Sequence, residues 1–338
     1  MSFQNVSIVG LAHVDAPHRI PSVDLERRLG PAAERLGMRS DLLTLLTGIQ
    51  ARRFWDEATQ PSDAATKAAR KAIEQAGISH SQIGVLVNTS VCRDFIEPST
   101  ACLVHGNLGL SESCQNFDVG NACLAFLDGI RIAGHMIERG EIDYGLVVDG
   151  ESARFVVEET LRRLEGPGCD LKMFRDNFAT LTLGSGAAAM VLGRADRHPE
   201  GHRILGSVSV AATQYNRLCQ GQVDRMITDA GALLVAGLEI AARTWRKAVE
   251  ILGWSTDALD ELVIHQVSSV HTIKLVETFG FDMSKVLAIF PEFGNMGPAS
   301  IPTVLSKSAE AGRLHRGSRV ALMGIGSGLN CSVMEVRW

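Results

Sequence analysis

Net positive charge is missing from this sequence: 33 Lys and Arg stand against 38 Asp and Glu, a formal charge of −5, and the isoelectric point lies near 6.1. Neutralising a phosphate backbone takes a concentrated excess of cations, so a nucleic-acid partner is not expected. No apolar run reaches the roughly 18 to 20 residues that a membrane span requires, and MSFQNVSIVG at the start carries no charged stretch ahead of an apolar one. Neither an integral membrane protein nor a signal peptide is expected, and the expected location is the cytoplasm. The seven cysteines (92, 102, 114, 123, 169, 219 and 331) include no CxxC and no Cys/His pair at zinc-finger spacing. No metal site is expected, and the thiols should be free in a reducing compartment. A GxSxG elbow and a Walker loop are absent as well, and aromatic residues make up only 5% of the chain.

What is present is a globular composition, 46% hydrophobic with 33 glycines in 338 residues, long enough for two ordinary domains or one duplicated one. Apolar runs bounded by glycine and polar residues alternate with helical patterns: VSIVGLAHV (6 to 14), DAATKAARKAIEQAG (63 to 77), GVLVNTSV (84 to 91), NFDVG, a helix after Cys123, and YGLVVDGE (144 to 151). This is an α/β layout, and continuous rather than alternating strands predict helices on both faces of the sheet.

The pattern repeats. RKAIEQAGISHSQIGVLVNTSV (70 to 91) resembles RKAVEILGWSTDALDELVIHQVSSV (246 to 270), which sets Asn88 opposite His265. NACLAFLDGIRIAGHMIERGEIDYGLVVDG (121 to 150) matches PASIPTVLSKSAEAGRLHRGSRVALMGIG (298 to 326), which sets Cys123 opposite Ser300. Two pairs in the same order predict a duplicated α/β unit, with halves at 1–198 and 199–338 and a polar seam around ADRHPEGHR (195 to 203). Insertions at about 152–180 and 211–232 break the symmetry, and such excursions often carry binding surfaces.

Strand ends and the helix starts that follow them form the natural site of such a unit. Cys123 stands at one. A helix N-terminus favours thiolate over thiol and lowers a pKa otherwise about 8.5, so a nucleophile is one reading and a small buried hydrophobe the other. His265 ends the strand LVIHQV, and Asn295 lies in a glycine-bounded loop before a helix; each fits either a hydrogen-bonding group in a site or a purely structural one. Glu97 precedes a proline at a helix start, as a solvated acid or a general base. The loop GIGSGLN (324 to 330) is a poor dinucleotide loop, since no helix or spaced acid follows, and suits backbone N–H donors from Gly326, Ser327 and Gly328.

With these residues in view, the chain resembles the thiolase superfamily, and within it the β-ketoacyl-acyl carrier protein synthase III branch. The matching stretches, in order, are TGIQARR, EPSTACLV, NACLAF, LVIHQV, GNMGPASIP and GIGSGLN. NACLAF, HQVSSVHT and Glu97 before PST point further to the subfamily of head-to-head acyl-CoA condensing enzymes of long-chain olefin biosynthesis. The resemblance implies a duplicated five-layer αβαβα fold and a homodimer. It assigns Cys123 as nucleophile, His265 and Asn295 as its polar partners, the 326–328 loop as oxyanion donor, and Glu97 as the base reaching the partner subunit's site. The activity it implies is non-decarboxylative condensation of two long-chain acyl-CoAs, with no cofactor because coenzyme A is part of the substrate. Downstream enzymes of the olefin pathway are further implied partners. Arg52, Arg53, Arg217 and Arg225 are candidates for CoA at a tunnel mouth, against simple surface solvation. A malonyl-using synthase, an acyl-CoA thioesterase and a non-catalytic partner subunit are the competing readings.

Overall fold

A computed structural model describes residues 2–338. Nine strands make its main sheet, numbered here in chain order: β1 Val6–Asp15, β2 Ile83–Asn88, β3 Gln115–Asp118, β4 Tyr144–Glu151, β5 Gly186–Arg194, β6 His202–Ala211, β7 Glu261–Ile264, β8 Arg319–Gly326 and β9 Asn330–Arg337. Their spatial order is β7-β8-β9-β6-β1-β5-β4-β2-β3. In the first half β3, β2 and β4 run parallel and β5 and β1 follow antiparallel. In the second, β7 and β8 are parallel and β9 and β6 follow antiparallel. The repeated sequences occupy matching places: β2 corresponds to β7 and β4 to β8. In the sheet the halves meet where β1 pairs with β6, Ser7 with Arg203 and Ile8 with His202, and at an isolated bridge of Ser2 with Gly206.

Six helices cover the sheet: α1 Pro61–Ala76, α2 Thr100–Leu108, α3 Ala125–Glu138, α4 Ala230–Leu252, α5 Ser269–Phe279 and α6 Ser300–Glu310. Three apolar seams follow. The central one buries Phe126, Ile130 and Ile137 of α3 and Ile301, Val304 and Leu305 of α6 against both half-sheets. An outer seam places α1 and α2 on the first half, and another places α4 and α5 on the second. Helices, half-sheet, helices, half-sheet, helices give five layers, the thiolase-like arrangement.

Strands buried on both faces need small residues where helices press closely. Ala64, Ala65, Ala68, Ala69 and Ala72 of α1 are all fully buried, and they bring the helix backbone onto the sheet. A Cβ at Gly10 would stand 2.2 Å from the Ala72 carbonyl oxygen, and one at Gly150 would stand 2.1 Å from that of Pro61. Glycine is required at both strand positions by this approach rather than by a turn.

The first insertion forms helices Arg154–Glu165 and Leu171–Asn177, packed with helix Ser22–Arg35 around Leu25, Leu29, Val157 and Leu161. The second is a hairpin of Cys219–Gly221 with Met226–Thr228. It leans on the first, since Thr180 Oγ1 donates to the Met226 carbonyl at 3.1 Å. Among the described residues no helix is long and apolar enough to cross a membrane.

Candidate active site

Cys123 is placed by a strained turn. After β3 the chain reverses at Asn121 and Ala122, whose φ of 46° makes it the only non-glycine residue with positive φ among the described residues; this conformation costs an L-residue about 1–2 kcal/mol. A single 3₁₀ turn, Ala122–Leu124, then leads into α3. That turn packs against β8 and against the turn Gly297–Ala299, so the starts of the two central helices face one another. The 326–328 loop closes on the same point. A Cβ at Gly326 would lie 2.9 Å from the Asn121 carbonyl oxygen, and Asn330 Nδ2 donates to Asn121 Oδ1 at 3.1 Å.

The expected thiolate is not what this geometry produces. Burial pushes the Cys123 thiol up to about 12, and nearby Cys219 and Glu151 add to the shift. Desolvation of the charged form outweighs the partial charge of a helix end here, so Cys123 rests as a thiol.

His265 and Asn295 are joined. His265 Nε2 lies 3.0 Å from Asn295 Oδ1, and the backbone N–H of Gly297 donates to the same oxygen at 3.0 Å. The Gly297 donor identifies that atom as oxygen, so the imidazole proton is on Nε2 and Nδ1 carries the lone pair. The amide Nδ2 is left as a donor. Burial holds His265 down at about 4, with nearby His271 adding and the Asn295 bond opposing, so the ring is neutral near pH 7. The following residue fixes the frame: Gln266 donates to the Leu287 carbonyl at 2.6 Å and accepts from the Ile289 amide at 2.8 Å. Its backbone N–H meets Ser300 Oγ, the residue opposite Cys123 in the repeat, at 3.3 Å.

Glu97 is not among this group. It is exposed on the loop between β2 and α2, beside Phe95 and Ile96, which are 59% and 93% exposed. The loop's root is fixed by residues the sequence did not single out. Glu151, at the end of β4, accepts from the Val91 amide at 2.6 Å and the Cys92 amide at 3.3 Å. Burial raises this carboxyl to about 7, while those donors hold it back. Asp149 is pushed well above the usual carboxylate range by burial and by Glu151. A protonated Asp149 also resolves a conflict: Thr89 Oγ1 lies 2.6 Å from Asp149 Oδ2 and 3.0 Å from the Val148 carbonyl, and one hydroxyl cannot donate to both. With the acid donating to Thr89, Thr89 donates onward to Val148. The signal in the sequence was two acids inside the otherwise apolar strand YGLVVDGE.

The four arginines are scattered. Arg52 is fully buried; it donates to Ser22 Oγ at 3.0 Å, and burial lowers it to about 10. The expectation of a cation at a tunnel mouth therefore fails for Arg52, because the pairing of His18–Pro21 with Ala51–Phe54 turns it inward. Arg53 is half-buried with its guanidinium 5.3 Å from the centre of the Phe293 ring. Arg217 and Arg225 are exposed at the second insertion. His271 was also missed: its Nδ1 is buried without a partner. Among the described residues no three His, Cys, Asp or Glu side chains are grouped to hold a metal ion.

The 3-oxoacyl-acyl-carrier-protein (ACP) synthase III family matches residues 117–212, and the C-terminal family of the same synthase matches residues 249–338. Over its full 338 residues the chain is 55% identical to the whole of an acyl-CoA:acyl-CoA alkyltransferase of Xanthomonas campestris. It is 36% identical, again over the whole of both chains, to one of Shewanella oneidensis. The chain belongs to the acyl-CoA:acyl-CoA alkyltransferase family. As an acyltransferase of this family it superposes on solved structures of Xanthomonas campestris OleA, one with cerulenin bound and one with a cysteine changed to alanine. Each has a TM-score of 0.99 at 55% identity and covers all of this chain and 98% of that one. Other solved forms of that relative carry changes at a glutamate or a histidine.

Proposed function

We propose that this alkyltransferase condenses two long-chain acyl-CoAs head to head, without decarboxylation, to a 2-alkyl-3-oxoacyl-CoA, the first step towards long-chain olefins. The observation that carries the reading is the neutral His265–Asn295 pair beside the Cys123 turn. It leaves a lone pair at His265 Nδ1 and a donor at Asn295 Nδ2, the two kinds of group that the proposed chemistry needs. The relative crystallised with changes at a cysteine, a glutamate and a histidine supports the same three residue types.

In the first half-reaction Cys123 attacks the thioester carbon of one acyl-CoA. Its proton passes to neutral His265 and then to the departing CoA thiolate as the carbon–sulfur bond to CoA breaks. Backbone N–H groups of Cys123 and of the 326–328 loop hold the oxyanion. In the second, Glu97 of the partner protomer removes an α-proton from the second acyl-CoA, while Asn295 Nδ2, oriented by His265 and Gly297, donates to its thioester oxygen. The enolate carbon attacks the acyl-Cys123 carbonyl and the bond to sulfur breaks. The returning thiolate takes the proton from Glu97. A homodimer in the cytoplasm is part of this reading, as are Arg53, Arg217 and Arg225 as CoA contacts and a division into halves at 198/199.

Incubation with myristoyl-CoA alone, without malonyl-CoA, tests it. A condensed β-keto product or its decarboxylated ketone is expected. Free myristate with no new carbon–carbon bond would make the enzyme a thioesterase, and a requirement for malonyl-CoA would make it a decarboxylating synthase.

A further inference from the structure

The buried carboxyls behind the Glu97 loop have no part in the steps above, yet they hold the root of that loop. Between Thr89 and Asp94 a series of hydrogen bonds ties the chain down. The Thr89 amide donates to the Val148 carbonyl at 2.9 Å, and Gly150 N–H donates to Ser90 Oγ at 2.8 Å. Val91 and Cys92 donate to Glu151, and the Cys92 thiol reaches the Ser152 carbonyl at 3.4 Å. Asp94 accepts from the Ser62 amide at 3.0 Å. Beyond Asp94 the contacts stop, and Phe95, Ile96 and Glu97 stand in solvent. The loop is thus an arm with a fixed shoulder and a bare apolar tip.

Glu151 is the shoulder's key group. Two backbone N–H groups converge on one carboxylate, an arrangement that fixes the direction in which the chain leaves β2. A carboxyl buried to 5% exposure is costly to retain unless those bonds offset its desolvation. Strand β4 carries the residue into position: α1 lies on the Gly150 face, so Glu151, one residue on, points to the opposite face, toward the central layer. On its other side Glu151 faces the Asn295 loop: a Cβ at Gly297 would lie 3.7 Å from its carboxyl carbon.

We infer that Glu151 is a positioning residue for the condensation, whose carboxylate, by holding the Val91 and Cys92 amides, sets where the arm presents Glu97 to the partner subunit. The inference rests on the proposed action of Glu97 across the dimer. Glu151 serves its own subunit's arm, and therefore the opposite subunit's chemistry. Loss of the shoulder slows the step that needs Glu97 but not acylation of Cys123, whose thiol a neutral residue 151 leaves easier to ionise.

Glu151→Gln keeps one acceptor oxygen and puts a donor where the Cys92 amide points. In the homodimer the expected result is a CoA-release burst no slower than half the parent's and a condensation rate at least tenfold lower; Glu151→Asp, which keeps the charge but shortens the reach, should condense at a rate between the two. Purified hybrid dimers with two different tags decide the direction, and a chain that cannot fold does not enter them. With Cys123→Ala in the opposite subunit only one site reacts. A Glu151→Gln subunit paired with a Cys123→Ala subunit should keep at least half the activity of the parent paired with Cys123→Ala. The parent paired with a Glu151→Gln/Cys123→Ala subunit should fall at least tenfold. The opposite ranking means that Glu151 acts in its own subunit's site and overturns the inference; equal losses mean a general structural role and also overturn it. The parent paired with Glu97→Ala/Cys123→Ala is the control for the underlying reading. If that hybrid stays active, Glu97 does not act across the dimer, and the failure belongs to that reading rather than to Glu151.

Discussion

Asn295 Oδ1 receives the His265 Nε2 proton and the Gly297 backbone N–H together, each at 3.0 Å. This double acceptance locks the amide, orients its Nδ2 donors and selects the imidazole tautomer. Replacing the amide by a carboxylate keeps both acceptor contacts and removes the donors. In Asn295→Asp the new negative charge also favours the imidazolium, so the His265 pKa rises from about 4. Condensation should fall roughly 10²- to 10³-fold, the scale for losing one oxyanion donor. Single-turnover kinetics with a nitrogen-15 histidine titration checks both halves of the expectation. An unchanged His265 titration would contradict the assigned contact.

Cys123 gives a prediction about pH. With the thiol near 12, thiolate at pH 8 is only about one part in ten thousand, since each pH unit below the pKa costs a factor of ten. Alkylation by iodoacetamide should therefore be slow and should rise about tenfold per pH unit from 7 to beyond 9, with no plateau. Mass spectrometry of the Cys123 peptide reads the rate. A plateau between pH 6 and 8 would mean that the helix end, not burial, governs the sulfur.

Close approach of α1 to the sheet predicts the cost of a single methyl group. Gly10→Ala places a Cβ against the Ala72 carbonyl, a backbone atom that cannot rotate away. The helix must shift, and overpacking of this kind costs about 1–3 kcal/mol. A neighbouring control is Gly30→Ala, where the new Cβ meets nothing within 4 Å and, in the middle of a helix, should be neutral to stabilising. Chemical denaturation of both variants gives the comparison.

Much of this arrangement was legible before any coordinates. Cys123, His265 and Asn295 could be assigned to one edge because the repeat equates the strand ends IGVLVN and ELVI, and the topology does set those strands at matching places. Glu151 and Asp149 were not legible, because an acid near a strand's end reads as solvated. What buries them is the central layer, since both point away from α1 and the Glu151 carboxyl lies against the turn at Gly297, a contact between segments more than 140 residues apart in sequence. Arg52 failed for a similar reason: the strand pairing that turns it inward has no local signature. The thiol of Cys123 was misjudged because a helix start can be recognised in sequence while the partial burial of the sulfur among the turns packed around it cannot.

Ile96 carries the last prediction. At 93% exposure it makes almost no contact within its own chain, so Ile96→Glu should change single-chain stability by no more than about 0.5 kcal/mol. An apolar residue thrust outward beside Phe95 and next to Glu97 has a physical reason only if another surface covers it. In the proposed dimer that surface belongs to the partner, and a buried, unpaired charge there is strongly unfavourable. Sedimentation velocity should find Ile96→Glu dissociating at concentrations at least tenfold above those at which the parent stays dimeric. Condensation should disappear along with the dimer. Acylation of Cys123, which needs no partner residue, should survive in the separated chains. A variant that remains dimeric and condenses at the parental rate would show that the arm's tip does not meet the second subunit.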